Sequence, residues 1–357
     1  MITGLRLKNL GCFDDYDYSV KFNKLNVIVG PNNSGKSTLI KAINFVRTLT
    51  LTGRPEWNTL YYHLDNVFES VYNHDQKREI RMELDYEQDG NNFTTRIAIN
   101  GQGGITLADV TEGNRSVGHI NNHQGNRSAA SSIWYFTPNR SPIGSSATVG
   151  GRADNLQLLS PYGSDVLQFY IEKWTSQDEN WNLAQEWIKK IDPQAVLFST
   201  PLIANQVSIL TRRNDGKTTT PVNLSFQGTG IQNAVMIIAA VIFSPKKSII
   251  IIEEPENFLN SRSIEYLVDL FNYAVNKLEK QIMITTHSWE IVNAYCSDIG
   301  EGTDRGNIHE KAKTDDFKLI MVNEKLGKDK IQEYDLRGKK YIDVRNYFKQ
   351  LWGVLLT

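Results

Sequence analysis

Residues 30–38 constrain this chain more than any other stretch: Gly30-Pro31-Asn32-Asn33-Ser34-Gly35-Lys36-Ser37-Thr38, a complete G-x-x-x-x-G-K-[ST] phosphate loop. The apolar run Leu25 to Val29 leads in as a buried strand, and Leu39 to Val46 lead out with apolar residues at helical spacing. In a strand–loop–helix of this kind, backbone N–H groups curl around phosphate oxygens and the helix N-terminus adds its positive dipole end. Lys36 then faces the β/γ-phosphates and Ser37 holds Mg²⁺, with Gly30, Asn32, Asn33, Ser34, Gly35 and Thr38 completing the cradle. The chain is expected to bind a nucleoside triphosphate.

Composition narrows the partners. The 357 residues carry a net charge of −1, so no global basic field advertises nucleic acid. Two cysteines, Cys12 and Cys296, cannot build a disulfide framework, which points to a reducing cytoplasm. Neither an N-terminal apolar leader nor a membrane-spanning stretch is evident. The longest apolar run, Ala234 to Phe243, reads as a buried helix.

The order of elements reads as an α/β domain with a largely parallel sheet. Short strands alternate with turns before the phosphate loop, and a hairpin spans 79–99. Residues 100–130, rich in Gly, Asn, Ser and His, read as a long surface loop. Helical periodicity over 162–191 predicts a small helical lobe. Its tryptophans Trp174, Trp181 and Trp187 suit either a partner-facing surface or a core stripe. The predicted division is a discontinuous head, 1–99 and 205–357, interrupted by an inserted loop and helical lobe at 100–204.

The second half supplies the chemistry that a phosphate loop needs. Ile249-Ile250-Ile251-Ile252 followed by Glu253-Glu254-Pro255-Glu256 is a buried strand delivering carboxylates at its tip, a Walker B pattern. Glu253, where many families use Asp, is the expected support for the metal, and Glu254 is the candidate general base. Gln281 to Thr286 form another apolar strand ending at His287, placed to contact a γ-phosphate and sense its loss. Ser225, Gly228 and Gly230 open the apolar helix 229–243 as a second anion-binding arrangement. One phosphate does not need two such sites, so this helix start is expected to meet nucleotide bound by another subunit.

Taken together, GPNNSGKST, LSFQGTGIQ, IIIIEEPENFLN and ITTHS resemble the ABC-type ATPase head, as does the opening LRLKNLGCF. Within that group the stretches resemble the soluble overcoming-lysogenization-defect (OLD) nucleases and their stand-alone ATPase cousins, and more distantly RecF-like repair proteins. Residues 134–140, WYFTPNR, are a weaker echo. The signature lacks the usual LSGGQ, and Gln76 is the nearest candidate for a Q-loop glutamine. The resemblance implies a P-loop fold with a mixed and parallel sheet, and ATP hydrolysis between two heads in a head-to-tail homodimer. Lys36, Ser37, Glu253, Glu254 and His287 would then act in cis, and Ser225, Gly228 and Gly230 in trans.

What such a switch controls is less explicit. No acidic cluster for a two-metal nuclease stands out after His287, and Thr314-Asp315-Asp316 reads as a solvated turn. His119 and His123 have metal-like spacing without nearby cysteines and read as solvated side chains. The expected role is regulation of a separate effector protein, a nuclease or toxin, in bacterial anti-phage defence. The alternative is a RecF-like ATPase binding DNA through its dimer face, for which DNA affinity with a steep salt slope would speak.

Overall fold

The computed structural model describes residues 1–55, 77–138, 147–148, 162–193, 195–199, 206–207, 209–214, 219–297 and 316–334. The chain opens with strands β1 (Ile2–Lys8), β2 (Tyr18–Lys21) and β3 (Leu25–Val29), then helix α1 (Lys36–Thr52). Next come β4 (Ile80–Gln88), β5 (Asn91–Ile99), β6 (Ile105–Glu112), β7 (Arg115–His119), α2 (Gln124–Ser131) and β8 (Ile133–Phe136). The middle holds β9 (Ala147–Thr148), α3 (Val166–Thr175), α4 (Trp181–Ile191), β10 (Phe198–Ser199), β11 (Gln206–Val207), β12 (Ile209–Asn214) and β13 (Thr219–Asn223). The last third runs α5 (Thr229–Phe243), β14 (Ile249–Glu253), α6 (Ser261–Lys277), β15 (Gln281–Thr286), α7 (Trp289–Ser297), β16 (Phe317–Val322) and β17 (Ile331–Tyr334).

Two six-stranded sheets organise the described residues. One is antiparallel, in the order β2-β1-β4-β5-β6-β7. The other, β17-β16-β3-β15-β14-β8, is parallel except for its β16–β17 pair. Strand alternation splits the parallel sheet between two cores. Val27, Val29, Ile250, Ile252, Ile282 and Ile284 face α3 to α6. Ile28, Ile249, Ile251 and Met283 face α1, which lies between the two sheets. A strand buried on both faces has to be apolar at successive positions, and the isoleucine run of β14 meets that requirement. Gln281 joins the sheets at one end: its side chain accepts from Ile2 N at 2.7 Å and donates to Ile2 O at 2.6 Å.

Helix α5 is apolar around its whole circumference, and each of its residues from Gln232 to Phe243 is buried. No helix of the described residues is long and apolar enough to cross a membrane.

Residues 100–130 are not a loop. They form β6, β7 and α2, and β6 pairs with β5 over Thr94↔Thr111 to Ile99↔Ile105. The boundary predicted at residue 100 therefore cuts through a sheet, and β8 belongs to the parallel sheet as well. His123 is the N-cap of α2, its Nδ1 accepting from Asn126 N at 3.1 Å, and no cluster of metal-ligating side chains occurs among the described residues.

The helical lobe forms as α3 and α4. Trp187 is buried against Tyr273 and Trp181 packs edge-on to Tyr170; Trp174 is exposed. The tryptophans are thus chiefly a core feature. Gln76, Asn139, Arg140, Thr314 and Asp315 lie outside the described residues.

Candidate functional site

The phosphate loop closes on itself through backbone demands that select its residues. A Cβ on Gly30 would sit 2.1 Å from the Val322 carbonyl oxygen, so the strand beside β3 leaves room only for glycine. Gly35, at φ 108°, lies against the β1–β2 turn, where a Cβ would be 2.6 Å from Cys12 Sγ and 2.9 Å from Phe13. Asn33 adopts φ 62°, a left-handed conformation that Asn tolerates better than most residues. The first turn of α1 carries neither a side-chain cap nor an acidic residue, which leaves its positive end available to an anion.

Lys36 reaches back across the loop and donates to Gly30 O at 2.7 Å and Pro31 O at 2.8 Å. Burial pushes its pKa down, against the pull of Glu254, Glu253 and Glu256. Ser34 is buried with its Oγ lacking a hydrogen-bond partner among the described residues. A buried ammonium resting on two carbonyls and an orphaned hydroxyl fit a phosphate-binding cradle.

The carboxylates arrive from β14. Glu253 lies on the α1 side of the sheet, 1% exposed, and accepts hydrogen bonds from Ser37 and from the Tyr135 hydroxyl, the latter at 2.5 Å. Its burial raises its pKa, opposed by those two hydroxyls. Ser37 and Glu253 thus lie within hydrogen-bond reach of each other. A buried carboxylate beside a serine hydroxyl fits Mg²⁺, which takes one or two carboxylates and completes its shell with phosphates and water. Bound there, the ion would neutralise charge on the β- and γ-phosphates.

Glu254 leaves the strand with φ 47°, its N–H still bonded to Thr285 O at 2.8 Å. Its carboxylate meets His287 Nε2 at 3.0 Å and accepts from Asn257 Nδ2 at 3.1 Å. The hydrogen bond between them lowers the Glu254 pKa and raises that of His287. Both candidate catalytic groups therefore meet, each favouring the charged form of the other.

Glu256 had no role in the sequence reading. Its Oε1 accepts from Thr286 Oγ1 at 2.5 Å, from His287 N at 3.3 Å and from Ser288 N at 3.2 Å. It thereby fixes the turn that presents His287. Tyr135 likewise has no role that the sequence marks, lying in the weaker echo WYFTPNR.

The helix start at 223–230 lies next to the loop after β14. Ser225 is turned inward: its N–H and its hydroxyl both bond to Asn223 Oδ1 at 2.9 Å. Asn233 Nδ2 donates to Pro255 O and Asn257 O at 3.2 and 2.8 Å, tying α5 to that loop. A Cβ on Gly230 would lie 2.4 Å from Phe258 O, whereas one on Gly228 meets nothing within 4 Å. Gly230 is thus demanded by packing within the chain, and Gly228 is open. Phe226 and Phe258, from the two joined loops, are 80% and 70% exposed.

A family model described as "AAA domain, putative AbiEii toxin, Type IV TA system" matches residues 25–293. The chain belongs to that family. A second AAA-domain model matches residues 1–47 of this AAA-domain chain. Among solved structures it is similar to an SMC head bound to the C-winged helix domain of ScpA, at 14% identity and TM-score 0.60, over 93% of this chain and 97% of that one. It is also similar to an Smc head with an extended coiled coil, bound to the C-terminal domain of ScpA derived from Pyrococcus furiosus. That match has 13% identity and TM-score 0.57, over 98% and 99% of the two chains. No curated protein sequence matches. The fold is that of an ABC/SMC-type P-loop ATPase head, mixed α/β with one antiparallel and one largely parallel sheet.

Proposed function

We propose that this AAA-domain chain is an ATP-hydrolysing switch, completed head to tail by a second copy of itself, that regulates a separate effector protein. Residues 30–38 take the triphosphate, with Lys36 leaving its loop carbonyls for the β/γ-phosphates and Ser37 and Glu253 holding Mg²⁺. Glu254 accepts a proton from the attacking water while His287 contacts the γ-phosphate. The observation that carries this reading is the convergence of Ser37, Glu253, Glu254 and His287, from three separate chain segments, beside Lys36.

The second copy is favoured by what lies at the start of α5. Phe226 and Phe258 project from loops that hydrogen bonds hold still, around a helix end with no acidic residue in its first turn. A phosphate loop loaded with triphosphate and flanked by Glu254 and Glu256 is complementary in charge to that surface. A protein partner is in keeping with SMC heads solved with domains of ScpA. A family described by a type IV toxin–antitoxin system supports an effector pair in anti-phage defence, and LRLKNLGCF with EEPENFLN supports the OLD-like branch.

Sedimentation velocity of the Glu254→Gln protein tests the switch: a dimer with ATP and a monomer with ADP are expected. A monomer in both states overturns head-to-tail completion. Co-purification with the product of a neighbouring gene tests the effector, and ATP-dependent binding is the expected result.

A further inference from the structure

Glutamate at the tip of β14 poses a geometric problem that aspartate would not. Its extra methylene adds a rotatable bond, so the carboxylate can swing away from the position where Ser37 would share a metal with it. Something must hold it. Strand β8 lies beside β14 in parallel register, with Tyr135 opposite Ile251. Side chains alternate, so Tyr135, Ile251 and Glu253 all leave the sheet on the α1 face. From there the Tyr135 hydroxyl donates to Glu253 Oε1 at 2.5 Å, with Tyr135 4% and Glu253 1% exposed.

We propose that Tyr135 is a positioning residue that presents the Glu253 carboxylate to Mg²⁺, and that its reach along the sheet matches Glu in place of Asp. The inference rests on Glu253 being the metal's carboxylate. The effect of Tyr135 on the ion is exerted through Glu253. A hydroxyl bond to Oε1 fixes the side-chain torsions and so holds the carboxylate beside Ser37, which donates to it. An aspartate at this position would stop one methylene short of that hydroxyl.

The test is binding of a fluorescent ATP analogue, titrated with Mg²⁺ and repeated without it. Tyr135→Phe keeps the buried ring and removes one hydroxyl. Its half-saturating Mg²⁺ concentration should rise about 10- to 100-fold, the usual effect of losing a partner behind a metal ligand, while Mg²⁺-free affinity stays at the parent value. In a Glu253→Asp background the same substitution should add nothing, because the shorter carboxylate no longer meets the hydroxyl. An unchanged Mg²⁺ requirement in Tyr135→Phe overturns the inference. So does equal weakening with and without Mg²⁺ together with a lowered melting temperature, the mark of a packing role. Glu253→Gln separates the two readings. If it leaves the Mg²⁺ requirement untouched, the assignment of Glu253 fails and the inference with it; if it shifts the requirement and Tyr135→Phe does not, only the inference fails.

Discussion

The phosphate loop and the start of α5 are both glycine-bearing loops opening a helix, yet they are finished to different degrees. Around the phosphate loop the charged groups have partners within the chain: Lys36 on two carbonyls, Glu253 with Tyr135 and Ser37, Glu254 with His287 and Asn257. At the start of α5 the polar groups are also tied, Ser225 to Asn223 and Gln232 to Ser225 O and Gln227 O. What is left over there is apolar. Fully burying a phenylalanine gains about 1.5–3 kcal/mol, and Phe226 and Phe258 have collected little of it. One region offers charged and polar groups suited to a small anion, the other two exposed aromatic rings.

If that contrast is right, the largest effect belongs to the first region. Glu254→Gln should cut ATP turnover by roughly 10²–10⁴-fold and keep nucleotide affinity, since it removes a proton acceptor and no phosphate contact. A phosphate-release assay beside calorimetry separates the two quantities; parent-level turnover would remove Glu254 from the base role.

Phe226→Asp should act only on the second region. Exposed as the ring is, the melting temperature should stay at the parent value, while the ATP-dependent dimer weakens about 10- to 100-fold, the loss of one aromatic anchor. Mixed with Glu254→Gln protein it gives hybrids in which one composite site holds both lesions and the other neither. Partial recovery of turnover on mixing is expected; none at any ratio would contradict a shared site.

A smaller effect distinguishes the two glycines of that loop. Gly230→Ala pushes a methyl group into Phe258 O and should cost about 1–3 kcal/mol in denaturant unfolding. Gly228→Ala, whose new methyl group meets nothing, should stay within about 0.5 kcal/mol. Equal costs would mean that Gly230 is not wedged against the loop after β14.

The smallest effect is a titration. The His287 pKa lies above its ordinary value of 6.5 because Glu254 accepts its hydrogen bond. The pair's charge attraction is therefore complete below that ordinary value and is lost as pH rises through the raised one. On the Glu254 side, whose pKa is lowered, it is lost as pH falls through the lowered carboxylate value. NMR of the His287 ring should show its pKa falling in Glu254→Gln; no movement would break the pairing.

The parts of the site that the sequence announces are those set by local spacing. The phosphate loop, the isoleucine strand and α5 occur where their periodicity puts them, because each is specified by neighbours a few residues away. Helix α6 starts at Ser261 behind another local signal, Asn260, whose Oδ1 accepts from Ser263 N at 2.9 Å. The strands β6 and β7 were illegible for another reason. Their outer residues Ile105, Leu107 and Arg115 are exposed, so alternation is weak, and what makes them strands is pairing, of β6 with β5 and of β7 with β6. Tyr135 and Glu256 escaped because their partners lie in other strands, and no spacing rule relates Tyr135 to Glu253.

The position of β3 has a consequence for how the molecule is made. Its neighbours in the sheet are β15 and β16, residues 281–286 and 317–322, and Gly30 is roofed by Val322. A ribosome delivers residues 30–38 well before residues 281–322, so the strand beneath them stays unpaired until those later segments have emerged. Nascent chains halted before residue 281 should hold the complete phosphate-loop sequence and retain no nucleotide.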